Sequence, residues 1–294
     1  MPHQHNSTRV KLTPYFFLLP AIALLGLTVF IPAIGAFALS FSRFDYDLTQ
    51  LPQWVGLDNF SRLKEDELFL KAVWQTILYI FGVVPVLVIA PLGLSILVNQ
   101  KLKGINWFRT AFYAPVVISM VVAGISWKAL YTQNGLLNQF LKQIGFNEGI
   151  PWLTSTKLAL GSVMVVTIWK GLGYYMVIYL AGLQSISPEL YEAAAIDGSD
   201  SWRKHLDITL PLMFPYVFLV AVISTISATK VFEEVYIMTR GGPSNSSNTV
   251  VHYLYQQISA PNLDMSYGSA IGFVLFLGIL SLSIINLKLT AKDN

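Results

Sequence analysis

Cysteine is absent from the 294 residues, which excludes disulfides and thiolate metal sites. Charge is scarce: Asp, Glu, Lys and Arg make up 12% of the chain, against about a quarter in an ordinary soluble domain. Only four histidines occur: His3 and His5 in a polar N-terminal tail, His205 and His252 far apart. None has metal-ligand spacing. No segment reads GxxxxGK followed by Ser or Thr, the loop that cradles nucleotide phosphates. If ATP drives this protein, another chain binds it. No cluster of acids has the spacing that an embedded enzyme needs for a metal or a phosphate.

What the chain has instead is apolar length. It is 54% hydrophobic, with a mean hydropathy of +0.57. Six apolar runs lie near Pro14–Phe41, Ala72–Val98, Ala111–Tyr131, Leu158–Leu183, Leu212–Tyr236 and Tyr267–Leu287. Each reaches the roughly 20 residues that span a bilayer core of about 30 Å. The first exceeds a signal-peptide core and lacks a clear cleavage site, so it reads as an uncleaved span. The expected fold class is an all-α integral membrane protein with six transmembrane helices. Prolines 32, 85, 91 and 115 fall inside these runs and predict kinks. A net charge of +3 and a pI near 8.9 are too mild for a nucleic-acid partner. They suit a few basic residues at the cytoplasmic face of a lipid membrane.

Between the fourth and fifth runs polar and charged groups crowd into one stretch, EAAAIDGSDSWRKHLDITLP from Glu192 to Pro211. Ser187-Pro188 is a helix start, since a hydroxyl caps free N–H groups and proline needs no donor at the first helical position. Gly198 is placed to end that helix. Asp200 or Ser201 can cap a second short helix through Trp202 and Leu206, which Pro211 closes. Elsewhere, Asn134-Gly135 predicts a turn, with a short helix over 136–144 stopped by Gly145. Gly241-Gly242-Pro243 predicts a sharp break after the fifth run.

Glu192, Ala193, Ala194 and Gly198, then nine residues, then Ile208, Leu210 and Pro211 form a pattern that resembles the cytoplasmic coupling loop of ABC-importer permeases. Leu180-Ala181-Gly182-Leu183-Gln184, Val231-Phe232-Glu233, Met238-Thr239, Trp107-Phe108-Arg109 and Tyr267-Gly268-Ser269-Ala270 extend the likeness over nearly the whole chain. Together they resemble the maltose/glycerol-phosphate type of carbohydrate-uptake permease, in a compact form without a large inserted outer domain. The resemblance implies a second homologous permease subunit, two ATP-binding subunits that hold ATP and Mg, and an extracytoplasmic solute-binding protein. It implies an inner-membrane location with both termini cytoplasmic. No cofactor is expected on this chain. Residues 1–13 then form a cytoplasmic tail, and 14–294 one six-helix permease domain with a coupling loop at about 185–213. The chain itself would not be an enzyme.

In that loop Ala193 and Ala194 would let a short helix seat in a cleft of the ATPase subunit. Glu192 would supply a charge-assisted hydrogen bond, and Asp197 completes the contact set. For the solute path the resemblance implies Thr167, Gly171 and Tyr174 on the fourth helix, with Ser224 and Ser227 on the fifth. Trp169 adds an aromatic face. Ionisable groups inside a membrane are costly and usually face a cavity or a partner, which marks Lys170, Lys230, Glu233 and Glu234. Lys230 with Glu234 along one helix, and Lys170 with Glu233 or Glu234 across two, are both open pairings. The implied function is inward translocation of a sugar-like solute: an oligosaccharide, a glycosyl-polyol or glycerol phosphate. The alternative is an ion-coupled secondary transporter or an embedded enzyme.

Overall fold

The computed structural model describes residues 13–44, 51–100, 102–146, 148–196, 199, 202–259 and 263–290. Helices account for nearly all regular structure. Helix α1 (Thr13–Leu25), a π turn (Gly26–Phe30) and α2 (Ile31–Ser40) make one continuous apolar rod. A two-stranded antiparallel pair, β1 (Ser42–Arg43) with β2 (Gln53–Trp54), leads to α3 (Asp58–Glu65) and the long α4 (Glu67–Val98). Then come α5 (Ile105–Val117), α6 (Met120–Leu130), α7 (Leu136–Gln143), α8 (Ala159–Gln184) and α9 (Pro188–Ile196). A second π turn (His205–Thr209) runs into α10 (Leu210–Thr229), followed by α11 (Glu233–Met238), α12 (Val250–Ile258) and α13 (Met265–Thr290).

Among the described residues five helices are long and apolar enough to cross a bilayer. A sixth span exists only if α5 and α6 count as one, and these meet at 99°. The run over 111–131 is therefore a broken span and not the straight helix expected. Pro115 lies two residues before the end of α5, Ile118 is extended (ψ 132°), and Ser119 caps α6 by accepting from Val122 N at 3.4 Å. The prolines of α4 behave differently, since Pro85 and Pro91 sit within one unbroken helix.

The run over 212–236 also divides. Helix α10 stops at Thr229, and α11 restarts at Glu233 after Phe232 leaves helical geometry (φ −142°). At its other end α10 extends further back than expected. Pro211 does not close a separate short helix; the chain is helical from His205 through Thr229. Leu210 N–H donates to His205 O across five residues. Widening the turn in this way moves aside the carbonyl that proline would clash with and could not pair, so the helix passes proline without breaking. The same arrangement precedes Pro32, where Ile31 N–H donates to Gly26 O.

The core is built on α4 and α8. Tyr79, Val83 and Leu87 of α4, at intervals of four, meet Val163, Val166, Tyr175 and Tyr179 of α8, with Met213 and Val220 of α10. That spacing is one face of a helix. Gly173 permits the closest crossing, because a β-carbon there would lie 2.1 Å from Phe112 O of α5. Arg109 of α5 donates to Val98 O at 2.6 and 3.0 Å, satisfying a carbonyl at the C-terminus of α4 that helical geometry leaves without a partner.

At the opposite end of the bundle the predicted turns are present. Helix α7 follows Gly135, and Gly145 takes φ +103° at its stop. Arg240, Gly241, Ser244 and Asn245 all have positive φ, and Lys71 Nζ donates to Ser244 O at 2.7 Å. Asn138 is fully buried, bonding Thr132 O, Gln133 O and Ile150 O, and accepting from Ile150 N and Trp152 Nε1.

Asp66 caps α4 and joins three elements. It accepts from Leu68 N (2.9 Å), Phe69 N (3.2 Å) and the hydroxyls of Tyr253 (2.5 Å) and Tyr267. Burial pulls its pKa up, but bonds from Tyr253, Tyr267, Phe69 and Leu68 outweigh this and hold it below the ordinary 3.8. A carboxylate with a depressed folded-state pKa stabilises fully above its unfolded value and loses that stabilisation as pH falls through the folded one. Asp66→Ala should therefore lower the melting temperature of the detergent-solubilised protein by a few degrees at neutral pH, consistent with about 1 kcal/mol for a lost cap. The difference from wild type should shrink below pH 3.8. An unchanged neutral-pH melting temperature would show the cap to be redundant.

Candidate functional site

One face of α8 carries Thr167, Lys170, Gly171, Tyr174 and Tyr175, spaced three, four, seven and eight residues from the first, the signature of a single helical stripe. The stripe borders a cavity of about 310 Å³. Tyr79, Val83 and Leu87 of α4 form a second wall, and Ser224, Ser227 and Ala228 of α10 a third. Glu234 at the start of α11 completes the lining. Tyr79 Oη and Thr167 Oγ1 lie 2.5 Å apart, and Thr167 donates onward to Glu234 Oε1 at 3.4 Å.

Seven of the sequence-selected residues thus converge: Thr167, Lys170, Gly171, Tyr174, Ser224, Ser227 and Glu234. Three do not line this cavity. Trp169 points the other way, edge-on to Trp127 with centroids 5.5 Å apart. Lys230 and Glu233 are exposed. Because the helix breaks at 230–232, Lys230 and Glu234 no longer share a helical face. Among the described residues the only ion pair joins Arg62 to Asp264 at 2.7 Å.

Lys170 does not pair with Glu233 or Glu234 either. Its ammonium donates to three carbonyls at the α5–α6 break: Pro115 O (3.2 Å), Val116 O (3.2 Å) and Ile118 O (2.6 Å). An ammonium has three donors, and each has an acceptor here. These carbonyls lose helical partners because the span bends between them. Two polar lining residues were not among those selected from the sequence, Tyr79 and Tyr175. Tyr175 was legible as the eighth-residue partner of Thr167 on one face, and Tyr79 as a hydroxyl within an otherwise apolar run.

The second region lies at the end of the bundle where α4 finishes. Helix α9 begins at Pro188 as expected and presents Glu192, Ala193 and Ile196 outward, with Ile196 88% exposed. Ala194 is half-buried. Thr209, fully buried, ties the limbs of the loop together: Tyr191 Oη lies 3.0 Å and His205 Nδ1 3.1 Å from its Oγ1. Ser199 donates to Asp207 at 2.5 Å. A cleft of about 560 Å³ opens alongside α9, with Asn99, Gln100, Tyr191, Lys204 and His205 among its lining and exposed Glu192 at its edge. Ile208 and Leu210 are half-buried in the helical lead into α10, and Pro211 is exposed. Asp197 and Gly198, and the proposed caps Asp200 and Ser201, lie outside the described residues.

Residues 67–291 match the family described as binding-protein-dependent transport system inner membrane component. The arabinooligosaccharides transport system permease protein AraP of Bacillus subtilis (strain 168) is 37% identical over 96% of this chain and 90% of its own. The lactose transport system permease protein LacF of Rhizobium radiobacter is 32% identical, over 92% of this chain and 91% of its own. The sulfoquinovosyl glycerol transport system permease protein SmoG of Agrobacterium fabrum is 34% identical, over 90% and 86%. In structure the chain superposes on a chain of a bacterial ABC transporter involved in the import of alginate. The TM-score is 0.84, the identity 23%, and 95% of each chain is covered.

Proposed function

Since the chain belongs to the family of binding-protein-dependent transport system inner membrane components, we propose that it is the membrane-spanning permease subunit of an ATP-driven importer for an oligosaccharide or related glycoside. The relatives named for arabinooligosaccharides, lactose and sulfoquinovosyl glycerol support that solute class. The chain works with a second homologous permease, two ATP-binding subunits carrying ATP and Mg, and an extracytoplasmic solute-binding protein. It is a transport subunit, and ATP hydrolysis is left to those partners. Helix α9 meets an ATP-binding subunit at the cytoplasmic face, and the cavity between α4, α8 and α10 is this chain's share of the solute path. Alternating access is a two-state equilibrium that ATP binding biases.

The observation that carries the reading is the outward face of α9, where Glu192, Ala193 and Ile196 stand exposed on a helix bolted down through Thr209. Because Ala193 is exposed, Ala193→Arg should leave insertion and permease pairing intact. It should cut retention of the ATP-binding subunits, and uptake in reconstituted vesicles, by more than about tenfold, since a bulky side chain in a close-packed interface costs about 1–3 kcal/mol. Glu192→Ala should act in the same direction and more mildly, as expected for an exposed charged contact. Normal uptake by the Ala193→Arg complex would remove α9 as the coupling element.

The orientation has its own test, and a cysteine-free chain gives no labelling background. A cysteine at exposed Glu189 should react only from the cytoplasm, and one at exposed Lys142 only from outside. Reaction of both from one side would overturn the assigned topology.

A further inference from the structure

We infer that this importer half selects neutral glycosides and discriminates against those carrying a carboxylate or sulfonate. The inference rests on the glycoside-importer reading above and names the charge class of its solute. Relatives do not settle this, since their printed solutes include both neutral and anionic sugars.

The two ionisable groups of the cavity are already committed to partners of this chain. Lys170 is the only cation among the residues that line it, and Glu234 the only acid. All three donors of the Lys170 ammonium are taken by Pro115 O, Val116 O and Ile118 O. Recruiting it to an anionic solute would strip carbonyls that the α5–α6 break has already deprived of helical partners. Glu234 takes a bond from Thr167, whose hydroxyl is itself paired with Tyr79. A carboxylate so placed repels an anion, and its protonated form supplies no counter-charge. The rest of the lining offers what an uncharged polyol needs: the half-exposed ring of Tyr174 and the hydroxyl of exposed Ser227, while buried Ser224, its proton on Ala221 O at 3.2 Å, has only acceptor capacity left. An aromatic face suits sugar C–H bonds, and hydroxyls act as donor and acceptor alike. An anion entering here would be desolvated beside a carboxylate that repels it and a cation whose three donors are spent on main-chain carbonyls, so it would gain no charge-assisted hydrogen bond to offset that cost.

The test uses the purified complex with its partner permease and ATP-binding subunits, without a solute-binding protein, so that upstream selection does not intervene. Binding is read by equilibrium dialysis of radiolabelled trisaccharides, each neutral sugar paired with the same trisaccharide oxidised at one primary alcohol to a carboxylate. The panel covers arabino-, galacto- and gluco-configured sugars. The acidic member of the pair that binds best should bind at least about tenfold more weakly than its neutral counterpart. In Glu234→Gln that ratio should narrow, with the neutral affinity changed less than the acidic one. Equal affinity within the pair, or tighter binding of the acid, overturns the inference while leaving the glycoside reading intact. A wild-type ratio kept in folded Glu234→Gln assigns the discrimination elsewhere and also overturns it. Failure of every neutral sugar to bind refutes the glycoside reading itself, and the inference with it.

Discussion

Gly173→Val is expected to yield no stable permease. A β-carbon at this position would sit 2.1 Å from Phe112 O and 2.9 Å from Tyr113 Cα, so it meets main chain of α5 and not a side chain that can turn aside. Relief requires α5 and α8 to separate along their crossing, which uncouples α5 from the core. Overpacking usually costs about 1–3 kcal/mol. Here it falls on two helix backbones, and the upper end or beyond is expected. Gly173→Ala places the same atom and should already lower the melting temperature by several degrees. Gly161 gives the control: it lies on the same helix with nothing within 4 Å of its would-be β-carbon. Gly161→Ala should be neutral or stabilising, because alanine favours a helix interior over glycine by up to about 1 kcal/mol. Size-exclusion profiles and thermal unfolding in detergent give the comparison. A monodisperse Gly173→Val protein with wild-type stability would contradict the close crossing.

Lys170→Met is expected to produce the second-largest loss. Methionine keeps the length of the side chain and removes every donor, leaving the carbonyls of Pro115, Val116 and Ile118 without the ammonium that now satisfies them. An acceptor left unsatisfied costs up to about 1–3 kcal/mol where water cannot replace the donor, which applies to the part-buried Pro115 and Val116 carbonyls more than to the exposed Ile118 one, so the bend between α5 and α6 should loosen or straighten. Both thermal stability and uptake should fall. Lys170→Arg should restore only part of each, because a planar guanidinium presents a fixed fork where three carbonyls converge on a point. The decisive measurement is a double-mutant cycle with Glu234→Gln. If Lys170 serves the break, the two effects should couple only weakly, at the low end of the range of about 0.5–3 kcal/mol for neighbouring residues. Strong coupling would restore the cross-helix ion pair, as would a Lys170→Met protein of normal stability in which Glu234→Gln is harmful.

The fourth span was legible almost to the residue, 158–183 expected against Ala159–Gln184 observed, because a long apolar run ends at a capping Ser-Ile-Ser-Pro. The third was not. Hydropathy sums what a segment contains and is blind to its direction, so 111–131 read as one rod although Ser119 carried a helix-start signal in its middle. That single miss produced a second. The pairings left open for Lys170 named only carboxylates, whereas the break supplies unpaired carbonyls that a straight helix would not expose. The cavity lining was mostly recoverable, since Thr167, Lys170, Gly171 and Tyr174 share one helical stripe. Trp169 lies off that stripe by a third of a turn. Lys230 and Glu233 were misplaced through the unseen division of the fifth span at 230–232.

The π turn ahead of Pro211 has a mechanical consequence. Because the helix does not break there, α9, the Thr209 bolt and the cavity face of α10 form a single lever. From Thr209 to Ser224 the chain rises by about 1.5 Å per residue, or about 22 Å in all. A tilt of about 10° imposed at the α9 end would sweep Ser224 through about 4 Å over that arm, more than the length of a hydrogen bond. With a proline break in its place the same push would be spent in bending the joint, and the hydroxyls at the far end would stay where they were.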